Sequence, residues 1–245
     1  MRLKGVICYD GTGYGGFQIQ ANAPTIQAEI ERVLAQLAGT ETRVIAAGRT
    51  DAGVHAEGQV IAFDTDWRHP VVDLQRGMNA LLPQQIAVFE LCEVDARFHP
   101  RFDALTRSYR YTIYHAITRH PLFTRFSLHV APSLDIEAME LAARCLVGSH
   151  DFLAFGSPPQ GNNSVRVVSR ALWSYQDPWL TFEIEANAFL YRMVRMLVGT
   201  LLRVGRGALS PEAFEQILET RDREKAGPAV VGQGLCLKSV VYAED

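Results

Sequence analysis

The chain has 245 residues, of which 48% are hydrophobic, and 24 basic residues against 27 acidic ones give a formal net charge of −3. This composition is typical of a soluble globular protein, and no apolar run approaches the roughly 20 residues that a membrane-spanning helix needs. The N-terminus lacks the three-part plan of a signal peptide, so we expect a cytoplasmic protein.

Strands and helices alternate along the chain. In the first hundred residues the predicted elements are a strand at 2–10, a helix from about Pro24 to Gly39, a strand at 59–65, a helix at 72–82 and a strand at 86–94. The predicted elements of the remaining residues are a strand at 107–115, a helix at 134–147 and strands at 165–175 and 180–186. They are followed by a helix at 187–204, a second helix after Ser210-Pro211 and a strand at 235–242. This pattern predicts two packed α+β halves joined near residues 96–106.

The four cysteines lie far apart and show no zinc-ligand spacing. We therefore expect reduced thiols and no structural metal. The charge is unevenly distributed: between Arg97 and Arg125 there are six arginines and one acid, Asp103, which gives that segment a net +5. Such a segment, which includes Arg101, favours a polyanionic partner although the whole chain is acidic.

Gly11, Gly13 and Gly16 match the spacing of a dinucleotide-binding turn after a predicted strand. The setting does not fit, because no helix is predicted to begin at Gly16, and Glu31 lies inside the first helix instead of at the end of a second strand. We interpret these glycines as allowing the loop to approach a partner or the other half of the protein closely.

Residues 48–55, GRTDAGVH, have glycines on both sides of a possible active-site acid. Such a loop can present Arg49, Asp51 and His55, and a carboxylate beside an arginine stays ionised. A nucleophilic or electrostatic role for Asp51 and a structural Asx-turn are both open on this evidence. We interpret His55 as a local hydrogen-bonding residue.

Arg192, Arg195, Gly199, Arg203 and Arg206 fall on one stripe of the helix predicted at 187–204 and its end. The stripe holds no acid that would neutralise it, and a glycine inside a helix indicates a close approach by another group. A phosphate-facing surface and a solvated face are both compatible with it.

The strand at 107–115 combines tyrosines with arginines. Tyr109 and Tyr111 share one face, and the pattern suits base stacking together with phosphate contact. A half-buried strand is the alternative, and we favour it for Tyr111, whereas Tyr109 stays a candidate for stacking.

The GRTDAGVH segment resembles the signature loop of the bacterial tRNA pseudouridine synthase A family. Further stretches resemble that family in the same order along the chain: residues 9–14, 98–99, 109–111, 187–195, 204–207 and 234–235. The resemblance implies a pseudouridine synthase fold, with two pseudo-symmetric, ferredoxin-like halves forming a continuous, mostly antiparallel sheet with helices on one side. We assign residues 1–100 to the half that carries the aspartate loop and residues 101–245 to the half that carries the stacking tyrosine and the arginine stripe.

The resemblance also implies a reaction: isomerisation of uridine to pseudouridine at positions 38, 39 and 40 of the tRNA anticodon arm, by a homodimer without metal or cofactor. Asp51 corresponds to the catalytic aspartate, Tyr109 to the tyrosine that stacks on the target uracil, and Arg195 to the basic partner of the aspartate. The remaining expected substrate-binding residues are Arg49, Leu235, Arg192, Arg203 and Arg101. An RNA-binding module that has lost catalysis and a dinucleotide-dependent oxidoreductase are the competing hypotheses.

Overall fold

The protein is described by a computed structural model at residues 1–159 and 161–243. Its strands are β1 (Arg2–Tyr9), β2 (Ile45–Ala46), β3 (His55–Asp64), β4 (Ile86–Val94), β5 (Ala104–His115), β6 (Leu128–Val130), β7 (Gly148–Asp151), β8 (Val165–Gln176), β9 (Trp179–Ala186) and β10 (Leu235–Tyr242). Its α-helices are α1 (Ile26–Ala38), α2 (Val71–Leu81), α3 (Ile136–Arg144), α4 (Met193–Gly205) and α5 (Pro211–Thr220). The predicted α+β class is confirmed.

The chain forms two compact units, one of Met1–Leu105 with the segment from Cys236 onward, and one of Thr106–Leu235. The division at Leu105 lies close to the expected boundary at residue 100. The last strand differs from expectation, because it belongs to the first unit. The reason is a parallel pairing in which Cys236 of β10 lies opposite His55 of β3, a long-range contact that local sequence patterns do not show.

In the first unit the strand order is β4-β1-β3-β10, and β2 also pairs with β3. β1 pairs antiparallel with both of its neighbours. Along β1 every second residue is buried, as expected for a strand with one face on a core. α1 contributes Ile26, Ile30, Val33 and Leu34 to that core, and burial of each such side chain is worth about 1.5–3 kcal/mol.

The ends of α1 follow from its sequence. The side chain of Thr25 accepts a hydrogen bond from the backbone N–H of Ala28, which satisfies one of the otherwise unpaired N–H groups of the first turn. Gly39 closes the helix in the left-handed conformation, at φ 71°, and its N–H donates to the Ala35 carbonyl. The predicted limits at Pro24 and Gly39 are therefore confirmed to within two residues.

In the second unit the strand order is β5-β9-β8-β7, with antiparallel pairs, and β6 lies parallel to β5. α4 buries almost its whole length, including Leu197, Val198 and Leu201. The prediction of a helix from Asn187 is wrong at its N-terminal end, because α4 begins at Met193. The intervening segment is held by pairings with other elements: the Asn187 N–H donates to the Val167 carbonyl, and the Tyr191 N–H donates to the Ser157 carbonyl.

Candidate active site

Asp51 lies in the loop that connects β2 to β3. A turn within the loop brings the Val54 N–H to within 3.1 Å of the Asp51 carbonyl oxygen. Gly53 takes the left-handed conformation that this turn requires, at φ 73°. The Asp51 side chain is partly exposed and Arg49 is exposed, so the loop presents a carboxylate and a guanidinium at the surface of its unit.

A cluster of buried polar side chains holds this loop in place. The Tyr9 hydroxyl lies 2.8 Å from the Thr50 hydroxyl, and Gln59 Nε2 donates to the Gly48 carbonyl at 2.8 Å. Tyr9, Thr50 and Gln59 are at most 7% exposed. Since a buried hydrogen bond resists local opening more than an exposed one, Thr50 is fixed by a side chain from β1 and Gly48 by a side chain from β3.

The glycine-rich loop 11–16 packs directly on the Asp51 loop. A Cβ atom at Gly11 would lie 2.1 Å from the Val54 carbonyl oxygen, and one at Gly16 would lie 2.5 Å from the Thr50 carbonyl oxygen. The Phe17 N–H also donates to the Thr50 carbonyl at 3.0 Å. The close approach predicted for these glycines is therefore made to a loop of the same unit. No helix begins at Gly16, since α1 starts at Ile26, which agrees with the rejection of a dinucleotide-binding turn.

His55 ties the two loops together. Its Nδ1 atom accepts a hydrogen bond from the Gly11 N–H at 3.0 Å and lies 3.1 Å from Asp10 Oδ1. The side chain is 5% exposed, so His55 has the local structural contacts expected from the sequence.

Tyr109 and Tyr111 lie on the buried face of β5, where every second residue from Arg107 to Ile113 is buried. Tyr109 is 9% exposed, and its ring meets the Phe189 ring edge to face at a centroid separation of 4.9 Å. Tyr111 is fully buried and donates its hydroxyl to the Val231 carbonyl at 2.9 Å. Burial raises the pKa of Tyr111 far above its usual value, against a smaller lowering by the charge of Arg195. Tyr111 is a core residue, as favoured from the sequence.

Arg107 is a residue that the sequence analysis did not single out. It is 8% exposed, and its Nη1 donates to the Asn187 carbonyl at 2.7 Å. Asn187 is also fixed by its side-chain oxygen, which accepts from the Val167 N–H at 3.0 Å. Since Phe189 follows two residues later, these contacts hold the segment that touches Tyr109. The sequence signal that could have identified Arg107 is its position two residues before Tyr109, on the same face of the strand.

Arg195 lies in the first turn of α4 and is fixed by the chain that crosses the helix. Its Nε donates to the Val230 carbonyl at 2.6 Å, and the Val230 N–H donates to the Arg195 carbonyl at 3.1 Å. A Cβ at Gly199 would lie 1.9 Å from the Pro228 carbonyl oxygen. The close approach predicted at Gly199 is thus made by the protein's own backbone.

The remaining predicted stripe residues do not share one helix face. Arg192 precedes α4 and Arg206 follows it, while Arg203 donates Nη1 to the Lys225 carbonyl at 2.6 Å. The prediction of a continuous arginine stripe on one helix is therefore wrong, because Arg192 takes a left-handed backbone conformation, at φ 62°, that ends the helical path.

Two other candidates have well-defined surroundings. The Arg101 N–H donates to His99 Nδ1 at 3.2 Å, and the Arg101 guanidinium lies 5.6 Å from the Phe102 ring centroid. Leu235, at the start of β10, is 6% exposed. Asp51, Arg49 and Arg101 belong to the first unit, whereas Tyr109, Arg192, Arg195, Arg203 and Leu235 belong to the second.

The positive charge counted between Arg97 and Arg125 is partly neutralised by acids from elsewhere. Arg97 pairs with Asp95 at 3.0 Å, and Arg110 pairs with Glu183 at 2.8 Å. In residues 1–159 and 161–243 no group of three or more His, Cys, Asp or Glu side chains could hold a metal ion. Over the same residues, no helix is both long enough and apolar enough to cross a membrane.

The fold and the Asp51 loop together define a class: α+β enzymes with a partly exposed aspartate on a glycine-bounded loop. A family model described as tRNA pseudouridine synthase matches residues 6–103 and 142–243. These ranges include Asp51, Arg195 and Leu235, and leave out Tyr109. The chain belongs to this family, and the predicted family and fold class are confirmed.

Relatives named tRNA pseudouridine synthase A match nearly the whole chain. The one from Moorella thermoacetica is 46% identical over 98% of this chain and 99% of its own length. The one from Geobacter sp. strain M21 is 42% identical over 99% of both chains. The one from Francisella tularensis subsp. novicida is 40% identical over 96% of this chain and 92% of its own.

Proposed function

We propose that this enzyme isomerises uridine to pseudouridine at positions 38, 39 and 40 of the tRNA anticodon arm, with Asp51 as its catalytic carboxylate. The observation that carries the proposal is the Asp51 loop. A partly exposed aspartate follows Thr50, whose hydroxyl lies 2.8 Å from that of the buried Tyr9. A partly exposed carboxylate on a loop whose backbone is held by buried groups is pre-positioned for a substrate.

The reaction breaks the bond between C1′ of the ribose and N1 of uracil, turns the base and rejoins it through C5. Bond breaking develops positive charge at C1′, which a nearby carboxylate stabilises, as it does in glycoside hydrolysis. Asp51 has two chemically consistent routes: attack on C1′, or removal of the 2′ proton to give a glycal. Either route ends with loss of the C5 proton, so release of that hydrogen reports the whole reaction.

From the family resemblance, we assign parts of this chemistry to Tyr109, Arg195 and Leu235 as well. The target base leaves its stack at a cost of a few kcal/mol, and stacking on Tyr109 offsets about 1–3 kcal/mol of it. The edge of the Phe189 ring, 4.9 Å away, supports the Tyr109 ring. We assign to Arg195 the role of keeping the Asp51 carboxylate ionised, and to Leu235 the role of excluding water from C1′.

We assign RNA contacts to Arg49, Arg101, Arg192 and Arg203, since guanidinium groups bind phosphates with charge-assisted hydrogen bonds. Arg49 and Arg192 are exposed. Arg203 already donates one N–H to the Lys225 carbonyl, and it also stabilises the segment that covers α4. Its contribution to RNA binding therefore includes the ordering of that segment.

The test of the function is tritium release from tRNA transcripts that carry C5-tritiated uridine in the anticodon arm. The wild type is expected to release tritium, and Asp51→Asn is expected to release none while binding tRNA with nearly unchanged affinity. Asp66→Asn, which changes an exposed aspartate of the same unit, is the matched control and should be as active as the wild type. A folded wild type that binds these tRNAs without releasing tritium would support the RNA-binding module instead.

From the family resemblance, we also propose that the enzyme is a homodimer and that it is cytoplasmic. Light scattering of the purified protein measures the mass directly against the monomer's 27.2 kDa. A mass near twice that value is expected, and a monomeric mass at the protein concentration used for the activity assay would exclude the dimer as the active form.

A further inference from the structure

We propose that Tyr191, Arg192 and Arg223 form a basic-aromatic surface of the Thr106–Leu235 unit that binds a single-stranded segment of the substrate RNA. An unstacked base packs on the Tyr191 ring, and the adjoining phosphates contact the two arginines. This inference rests on the proposed function, because it describes how the same enzyme holds RNA beside the uridine that it modifies.

The Tyr191 ring is large and exposed, and the backbone that carries it is held in place. It is 52% exposed, and its backbone N–H donates to the Ser157 carbonyl at 2.9 Å. The Arg192 guanidinium carbon lies 4.9 Å from the ring centroid, within the range of a cation–π interaction. An exposed aromatic ring next to a guanidinium is an arrangement with which proteins stack single-stranded bases.

The backbone at Arg192 maintains this arrangement. Arg192 has φ 62°, one of three positive φ values among the described residues other than glycine. Its side chain makes no capping hydrogen bond to α4. Non-glycine residues adopt this conformation seldom, and such residues concentrate at ligand sites. This left-handed residue directly precedes α4, and the Arg192 guanidinium lies beside the Tyr191 ring.

Arg223 reaches the same place from the chain that follows α5. Its Nη1 donates to the Ser157 hydroxyl at 3.0 Å, so Ser157 contacts both Arg223 and the Tyr191 backbone. The neighbouring cations are neutralised, since Arg221 pairs with Asp151 and Lys225 pairs with Asp222. Among the described residues, no carboxylate lies within 4.0 Å of the guanidinium of Arg192 or Arg223. Two exposed, uncompensated cations beside an aromatic ring fit the phosphates and bases of RNA.

The chain itself links this surface to the proposed target site. Phe189 lies two residues before Tyr191 in the segment that precedes α4, and its ring contacts the Tyr109 ring. RNA whose target base stacks on Tyr109 therefore has a neighbouring nucleotide within reach of the segment that carries Tyr191. Unstacked bases of loops are the part of RNA that proteins read by stacking.

The test measures the affinity of the full-length protein for a tRNA transcript at several salt concentrations. Tyr191→Ala is expected to weaken binding about 5- to 100-fold, whereas Tyr191→Phe retains the ring and should bind within about twofold of the wild type. Arg223→Gln is expected to reduce the slope of log affinity against log salt by about 1, the amount that one phosphate contact contributes. The matched controls are Tyr175→Ala, at an exposed tyrosine of β8, and Arg144→Gln, at an exposed arginine paired with Glu140.

Wild-type affinity in Tyr191→Ala, or an unchanged salt slope in Arg223→Gln, would overturn the inference. Thermal unfolding of each variant separates lost binding from lost folding, and Arg223→Gln tests the surface even if Tyr191→Ala is unstable. Tritium release by the wild type separates this inference from the proposed function. If the wild type is active but the variants bind tRNA as the wild type does, only the proposed RNA-binding surface is refuted. If the wild type releases no tritium, the proposed function is refuted.

Discussion

The hydroxyl group of Tyr9 is one of the groups that connect the core of the first unit to the loop that carries Asp51. It lies 2.8 Å from the Thr50 hydroxyl in a setting where both side chains are buried. Tyr9→Phe removes this oxygen and leaves a buried hydroxyl with one fewer partner, which costs about 1–3 kcal/mol. We therefore expect a lower free energy of unfolding, measured in urea, and a lower kcat for tritium release.

Tyr175→Phe is the control for that change. The Tyr175 hydroxyl donates to Asp177 at 2.8 Å, but it does so on the surface, where water replaces the lost bond at little cost. If the two variants were equally stable, the buried cluster beneath Asp51 would not contribute to stability as we argue.

Individual site residues were predictable to different degrees. Asp51 could be found from the sequence because glycines bound its loop and because the GRTDAGVH string resembles a family signature. The cluster that fixes the loop could not, since Tyr9, Thr50 and Gln59 are far apart in sequence and meet only when β1 and β3 pair. Arg107 was missed for a similar reason, because its hydrogen bond reaches Asn187, eighty residues away.

In helix α4, helix propensity and packing predict opposite effects of Gly199→Ala on the free energy of unfolding. Replacing a helical glycine by alanine stabilises an exposed helix by about 1 kcal/mol. At Gly199, however, the new Cβ would lie 1.9 Å from the backbone oxygen of Pro228, and overpacking of this kind costs about 1–3 kcal/mol. We expect Gly199→Ala to lower the free energy of unfolding, since backbone cannot move aside as a side chain can.

Gly77 of α2 provides the matched control for Gly199→Ala. A Cβ there would lie 3.1 Å from Leu37 Cδ2, and this flexible, partly exposed side chain can shift. Gly77→Ala should therefore be neutral or stabilising in the same urea experiment. A stabilised Gly199→Ala would mean that the segment 227–230 is not held against α4.

Elements that depend on local signals were predicted well, and those that depend on distant contacts were not. Thr25 and Gly39 limit α1 through their own backbone preferences. The start of α4 was misplaced because residues 187–192 continue the apolar pattern of a helix, while Asn187 and Tyr191 pair with β8 and Ser157. The short strands β2, β6 and β7 were also missed, since they are too brief to show an alternating pattern.

For the molecule as a whole, the dependence of stability on pH is a property summed over many groups. Burial raises the pKa of the Cys145 thiol to about 12, and burial likewise raises the pKa values of Cys8, Tyr14 and Tyr111. In every one of these groups the neutral form is the one that the folded protein prefers. The combined effect of these four groups on stability therefore appears at alkaline pH.

The unfolded chain releases these protons at lower pH than the folded chain does, so stability must fall as the pH rises. For Cys145 the contribution is complete below the unfolded pKa of 9.0 and is lost between there and about 12. We expect the free energy of unfolding in urea to decline from pH 9 to pH 11, and Cys145→Ala to decline less steeply. Cys92→Ala, at an exposed thiol, should keep the wild-type slope. Equal slopes in all three proteins would show that the Cys145 thiol ionises as readily in the folded protein as in the unfolded chain.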